Sequence, residues 1–208
     1  MRLLVIGAGG HAKVVTDTAM AAGWEIAGVI GERGGRRELL GHRVTYDVGA
    51  IDADAFIVAI GDNRKRADLF DEYRFGGLQP ARIVHPSAII GTNVELGAGV
   101  FVSAGAIINA DTVIGDNAII NTGCIVEHDC NIGPHTLIGP NASLCGGCTV
   151  GDGTLVGVGV SVAPTRRIGA WSIVGAGAAV VDDLPAHAVC VGVPAKPLER
   201  TAETRGEE

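Results

Sequence analysis

Residues 88–183, cut every six residues, read AIIGTN VELGAG VFVSAG AIINAD TVIGDN AIINTG CIVEHD CNIGPH TLIGPN ASLCGG CTVGDG TLVGVG VSVAPT RRIGAW SIVGAG AAVVDD. Sixteen blocks follow one another without a gap, and the third position of each, from Ile90 through Val126 to Val180, is a branched aliphatic. A spacing of six would smear those side chains around a helix of 3.6 residues per turn, and it is too regular for a set of hairpins. It is the signature of a parallel β-helix, in which each block supplies a short strand and a corner while the aliphatic points into the coil. The first position is small in every block except the one that opens with Arg166, as a narrow interior requires. The residue after the aliphatic is mostly glycine, which a corner needs either for positive φ or for close approach of two backbones.

The composition agrees with a core built from aliphatics: 47% of the 208 residues are apolar and only 4% aromatic, and the 32 glycines suit the corners. A net charge of −7 without a basic run argues against nucleic acid as a partner. Arg2 is followed by only four apolar residues before a glycine loop, too short a run for a signal peptide or a membrane span. A cytoplasmic location without membrane insertion is the expectation. Cys124, Cys130 and Cys148 fall on the small first position of their blocks and read as buried apolar residues. Cys145 and Cys148 form a CxxC, but residues around a coil corner diverge and no second pair follows, which disfavours zinc or redox chemistry.

Ahead of the repeats, LLVI at 3–6 reads as a buried strand running into GAGGHAK and a helix over about 12–22. Further strands are expected near 25–30, 55–60 and 81–84, with a second helix over 64–73, so this part is a small α/β unit with a parallel sheet. Gly7, Gly9 and Ala12 fit G-x-G-x-x-[GA], and Glu32 lies about twenty residues beyond. The segment is short for a complete dinucleotide fold, so a single nucleotide, its pyrophosphate near the glycine loop and helix N-terminus, fits better. A glycine turn serving only strand–helix packing is the structural alternative.

Within the repeats lie two histidines, His128 in CIVEHD and His135 in CNIGPH, seven residues apart and hence on neighbouring corners at nearly one level. Glu127 and Asp129 flank His128, and a carboxylate beside an imidazole orients the ring and raises its basicity. That is what a general base requires. A prism metal site built from three imidazoles is not expected with two at hand.

GAGGHAK at 7–13, IGDNRKR at 60–66, IVHPSA at 83–88, EHDC at 127–130 and GVPAK at 192–196 together resemble the sugar O/N-acyltransferase family of hexapeptide-repeat acetyltransferases. Its members are of the sialic acid O-acetyltransferase and bacillosamine N-acetyltransferase type. The resemblance spans the chain and implies a Rossmann-like small parallel-sheet domain over 1–83 that binds a nucleotide-sugar. It further implies a left-handed parallel β-helix over 84–183, a C-terminal extension over 184–208, a homotrimer, and acetyl-CoA in the groove between adjacent prisms. By position, it implies His128 as general base with Asp129 as its carboxylate. Gly9, Gly10, His11, Gly31, Glu32 and Gly61 would hold the nucleotide-sugar; His135, Gly146, Val158, Ala176, Pro194 and Lys196 would hold acetyl-CoA. Two positions depart from the family: Leu137 stands where a second histidine is often found, and Gly31 replaces the first of two acidic residues. The implied reaction is direct acetyl transfer to the amine of a UDP-4-amino-sugar. The alternatives are O-acetylation of a sugar hydroxyl and a non-catalytic nucleotide-binding scaffold.

Overall fold

The computed structural model describes residues 1–47 and 51–198. Its first part comprises β1 (Arg2–Ile6), α1 (Gly10–Ala21), β2 (Glu25–Ile30), β3 (Glu38–Leu39), β4 (His42–Thr45), β5 (Ala55–Val58), α2 (Asn63–Phe75) and β6 (Gln79–Pro80). The strands form one six-stranded sheet in the order β3-β4-β2-β1-β5-β6. Both faces of its centre are covered, which is why the first strand is a continuous apolar run. Leu3 and Val5 pack with Ala12, Val15 and Ala19 of α1. Leu4 and Ile6 pack with Phe56 and with Phe70 of α2. Asp62 caps α2 by accepting the backbone N–H of Lys65 at 2.8 Å, one of the orphan donors of a helix start.

Two features depart from the sequence expectation. The strand expected at 81–84 divides: Gln79–Pro80 pairs with β5, whereas Ile83–Val84, β7, pairs with Phe101–Val102 in the repeats. A run of two aliphatics carries no mark of which sheet it will join. A hairpin of β3 and β4 also adds an antiparallel edge to the otherwise parallel sheet. Leu40 and Gly41 turn it with φ of 48° and 82°, as a two-residue turn compatible with strand twist demands.

The repeats form a prism of three stacked-strand faces. The first face starts at β7, runs through Phe101–Val102, Ile119–Ile120 and Leu137–Ile138 to Val189–Val191, and closes with the antiparallel strand Lys196–Pro197. The second face has six strands, from Ile89–Ile90 to Ala179–Val180, and the third has five, from Glu95–Leu96 to Arg167–Ile168. Each strand pairs in parallel with the equivalent strand of the next coil, so Val126 lies between Ile108 and Leu144. Most third-position aliphatics join one continuous core. Threonines at the first position are buried too, because each is satisfied: Thr112, Thr136 and Thr154 donate Oγ1 to the carbonyls of Glu127, Gly151 and Gly169.

The two uses of glycine separate cleanly. Positive φ falls on the sixth position of the blocks, held by Asn93, Asp111, Asn117, Asp129, His135 and Asn141 as well as by glycines. The fourth-position glycines are there for close approach: a Cβ on Gly151 would lie 2.5 Å from the backbone nitrogen of Ala170 in the next coil. Gly151→Ala is therefore expected to destabilise the prism by about 1–3 kcal/mol through overpacking against backbone that cannot yield, a loss measurable by thermal unfolding.

The sheet domain sits on the first face. Ile83, Phe101 and Ile119 point outward from the prism into the same cluster as Leu3, Val5 and α1, with Leu137 partly buried beside them. The position at which the family often carries a histidine is thus, in this chain, part of the apolar contact between domain and prism.

Candidate active site

His128 follows the strand Ile125–Val126 and stands at the corner between the second and third faces. Its Nδ1 lies 2.7 Å from Asp129 Oδ2. The carboxylate accepts there, so the proton resides on Nδ1 and the lone pair on Nε2, in a side chain that is largely exposed. That hydrogen bond raises the imidazole pKa above its ordinary value, with the charges of Asp129 and Glu127 adding to it. Asp129 is at φ 58°, the left-handed corner position that asparagine or aspartate holds in several other coils. Its residue type therefore serves the corner as well as the imidazole. Glu127 is held from the coil below, its Oε2 accepting from Asn109 Nδ2 at 2.8 Å.

Gly146 is stacked one coil above. A Cβ at that position would fall 2.5 Å from His128 Cε1 and 2.7 Å from Nε2, so the missing side chain is the space the ring occupies.

His135 stands on the neighbouring corner, between the third and first faces, and the structure does not bring it to His128. Its ring packs edge-on against Phe70 with centroids 5.8 Å apart, and Nδ1 lies 2.9 Å from Asn117 Nδ2. Burial and the nearby Arg66 hold its pKa down. Within the described chain its contacts are with the sheet-domain seam. Val158 and Ala176 lie one above the other at the third corner, between the first and second faces, where Gly177 N–H donates to the Val158 carbonyl at 2.8 Å. Pro194 follows near the same corner, and Lys196 in the closing strand pairs with Asp182 at 3.0 Å. Gly146 and the Val158–Ala176 pair consequently flank the two edges of the second face.

A cavity of about 480 Å³ opens at the carboxyl ends of β1, β2 and β5, and Gly9, Gly10, His11, Gly31, Glu32 and Gly61 all line it. This is where open parallel sheets receive ligands. His11 packs edge-on to Phe101 of the prism, with centroids 5.6 Å apart. Burial is the main cause, with Arg66 second, that lowers its pKa to about 4, so the ring is neutral. Its Nε2 is buried without a partner among the described residues. Sequence reading missed Arg36, Lys65, Leu69 and Tyr73, which also line the cavity. The last three are spaced by four and form one stripe of α2, a signal that was present in the helical period. Lys65 pairs with Glu32 across the rim, and that bond holds the Glu32 carboxyl below its usual range.

The cysteines are free. Cys148 is buried with Sγ on the Ala163 carbonyl, whereas Cys145 is partly exposed. No cluster of three or more histidine, cysteine or acidic side chains among the described residues is placed to hold a metal, and no helix among them is long and apolar enough to cross a membrane.

A stack of hexapeptide coils bearing an imidazole–carboxylate pair at one corner, joined to a parallel-sheet domain with a glycine-lined cavity, defines a hexapeptide-repeat transferase with a nucleotide-type domain. Residues 2–73 match the family model of the PglD N-terminal domain. Residues 111–146 and 129–164 match that of the bacterial transferase hexapeptide (six repeats). The chain is similar to a mutant of perosamine N-acetyltransferase from Caulobacter crescentus in complex with CoA and GDP-perosamine: 42% identity, 96% of this chain and 97% of that one, TM-score 0.91. It is also similar to the acetyltransferase domain of PglB from Neisseria gonorrhoeae FA1090, with 31% identity, 95% and 99% coverage and TM-score 0.89. WeeI from Acinetobacter baumannii AYE aligns at 25% identity over 95% of this chain and 100% of that one, with TM-score 0.88. No curated protein sequence matches. The chain belongs to the sugar O/N-acyltransferase family of left-handed, hexapeptide-repeat acetyltransferases.

Proposed function

We propose that this acetyltransferase moves the acetyl group of acetyl-CoA onto the amine of a nucleotide-linked amino sugar, with His128 as general base. The observation that carries the reading is an exposed imidazole whose Nδ1 is held by Asp129, which leaves Nε2 as the basic nitrogen. Nε2 accepts the proton as the neutral amine attacks the thioester carbonyl, the C–S bond breaks, an amide forms, and the proton passes on to the leaving thiolate. No acyl-enzyme is required. The cavity supports a nucleotide-linked acceptor over a free sugar, because its glycine loop and the start of α1 suit a pyrophosphate.

For the nucleotide, the UDP expected from sequence gives way to GDP as the first candidate, since a 42% identical relative is described with GDP-perosamine. The rim pair agrees in chemistry: guanine offers two adjacent donors that a carboxylate such as Glu32 accepts and an oxygen that Lys65 can reach. Thiol release from acetyl-CoA with GDP- and UDP-linked 4-amino sugars, and with their 4-hydroxy counterparts, tests the whole reading. Turnover of the hydroxy compounds alone would replace it with O-acetylation, and turnover of none with the scaffold reading.

A homotrimer is part of the proposal. All cavity-lining residues belong to the sheet domain, which sits on the first face, while His128 stands at the corner between the other two. A neighbouring copy would bring a second prism to that corner. The faces differ over part of their height: the outward column of the second face reads Ile89, Ile107, Ile125 and then Ser143, Ser161, Ala179, whereas that of the third reads Glu95, Val113, Asn131, Thr149, Arg167. The uncovered isoleucine half of the second face, followed by small residues, is expected to be buried between subunits. Light scattering should give three times the 21.2 kDa chain mass.

The pH dependence follows from the raised His128 pKa. The base works deprotonated, so kcat falls as pH drops through a midpoint above the ordinary 6.5 of histidine. Asp129→Asn removes the negative charge and leaves at best a neutral, weaker acceptor for Nδ1–H, so that midpoint should move down toward the ordinary value while the plateau rate also drops. A pH–rate profile of both proteins reads the two effects.

A further inference from the structure

We propose that Arg66 is a positioning residue: it rivets the wall of the cavity to the corner of the prism and so fixes where an amine carried by the cavity meets the base, an inference that rests on the nucleotide reading of the cavity. Arg66 is fully buried, yet it makes no ion pair with a carboxylate among the described residues. Its guanidinium donates to backbone carbonyls on both sides of the seam. On the domain side these are Ile60 at 3.2 Å and, more weakly, Gly61 at 3.5 Å, both in the cavity wall. On the prism side they are Asn117 at 3.2 Å, His135 at 2.6 Å and Thr136 at 3.4 Å, from two successive coils. Asn117 returns a bond from Nδ2 to the Arg66 carbonyl at 3.2 Å.

Helix α2 carries the two functions on two stripes. Lys65, Leu69 and Tyr73 face the cavity. Asn63, Arg66 and Phe70 face one corner column of the prism: Asn63 Nδ2 donates to the Gly153 carbonyl at 3.0 Å, and Phe70 lies so close over Gly99 that a Cβ there would be 2.5 Å from its ring. Any slip along this seam moves the cavity wall with it. A buried cation serving only stability would be replaceable by good apolar packing. One that sets geometry would not be, because displacement of about 1 Å can cost about 10²-fold in rate.

The test compares wild type with Arg66→Met and Arg66→Lys, measuring GDP and CoA binding by calorimetry alongside kcat with the GDP-linked amino sugar. For Arg66→Met we expect both affinities within about threefold of wild type and kcat lower by about ten- to a hundredfold. The lysine variant, which keeps the charge and fewer donors, should recover part of the rate. The midpoint of the acid limb should stay where it is, since His128 is untouched. Unchanged kcat, or a kcat loss matched by lost nucleotide binding, would overturn the proposal. Should Arg66→Met fail to fold, Asn63→Ala decides: it removes one seam bond and should lower kcat with GDP affinity retained, and an unchanged kcat sinks the idea. Wild-type protein binding neither GDP nor UDP would instead defeat the reading of the cavity.

Discussion

Asparagine in place of His128 is expected to lower kcat by about 10²–10⁴, the usual contribution of a positioned proton acceptor. The substitution keeps a planar polar side chain at the corner but provides no group that takes a proton near neutral pH. Three features make the result interpretable. The ring is exposed, with 62% of the side-chain surface accessible, so little packing is lost. Its hydrogen bond within the described chain is to Asp129, which can turn to water when the imidazole is gone. The cavity is lined by the sheet domain alone, so nucleotide binding should persist. Steady-state kinetics with GDP-linked amino sugar and acetyl-CoA, together with an unfolding curve, separate a lost base from a lost fold. A rate within a few-fold of wild type would remove His128 from the mechanism.

Much of this architecture was legible because the prism repeats itself. A rule restated in sixteen blocks reveals strand, corner and interior from the residue types alone, and it exposes Glu127, His128 and Asp129 as a local change of character. The structure refines that inference, since Asp129 also answers a conformational demand that Asn93 and Asp111 meet elsewhere without any histidine beside them. The sheet domain was harder. Its β3–β4 hairpin pairs only four residues, Glu38 and Leu39 with Arg43 and His42, around Leu40–Gly41, too short for a periodic signal. His135 was least legible: its sequence spacing places it correctly on the next corner, but nothing local says that Phe70 and Arg66, more than sixty residues earlier, will cover it. Contacts between two units that each follow their own pattern are written in neither pattern.

Gly146→Ala is expected to lower kcat by about 10²-fold while leaving stability nearly unchanged, and the contrast with Gly151 explains why. At Gly151 the added Cβ meets backbone of the next coil, which cannot move without opening the stack. At Gly146 its three nearest atoms all belong to the His128 ring, at 2.5 Å from Cε1 and 2.7 Å from Nε2. The backbone there is outside the left-handed region, so alanine brings no conformational strain. An exposed imidazole can swing away at small cost, and the fold survives. The base does not survive in place: a ring turned from the Cβ leaves Asp129 or aims Nε2 elsewhere, and misplacement on the order of 1 Å is worth about 10²-fold. Thermal unfolding and kcat should therefore separate the two glycines, Gly151→Ala losing stability and Gly146→Ala losing rate. Should Gly146→Ala retain full activity, the attacking amine would not depend on the ring orientation observed here, and the assignment of Nε2 as the proton acceptor would have to be abandoned.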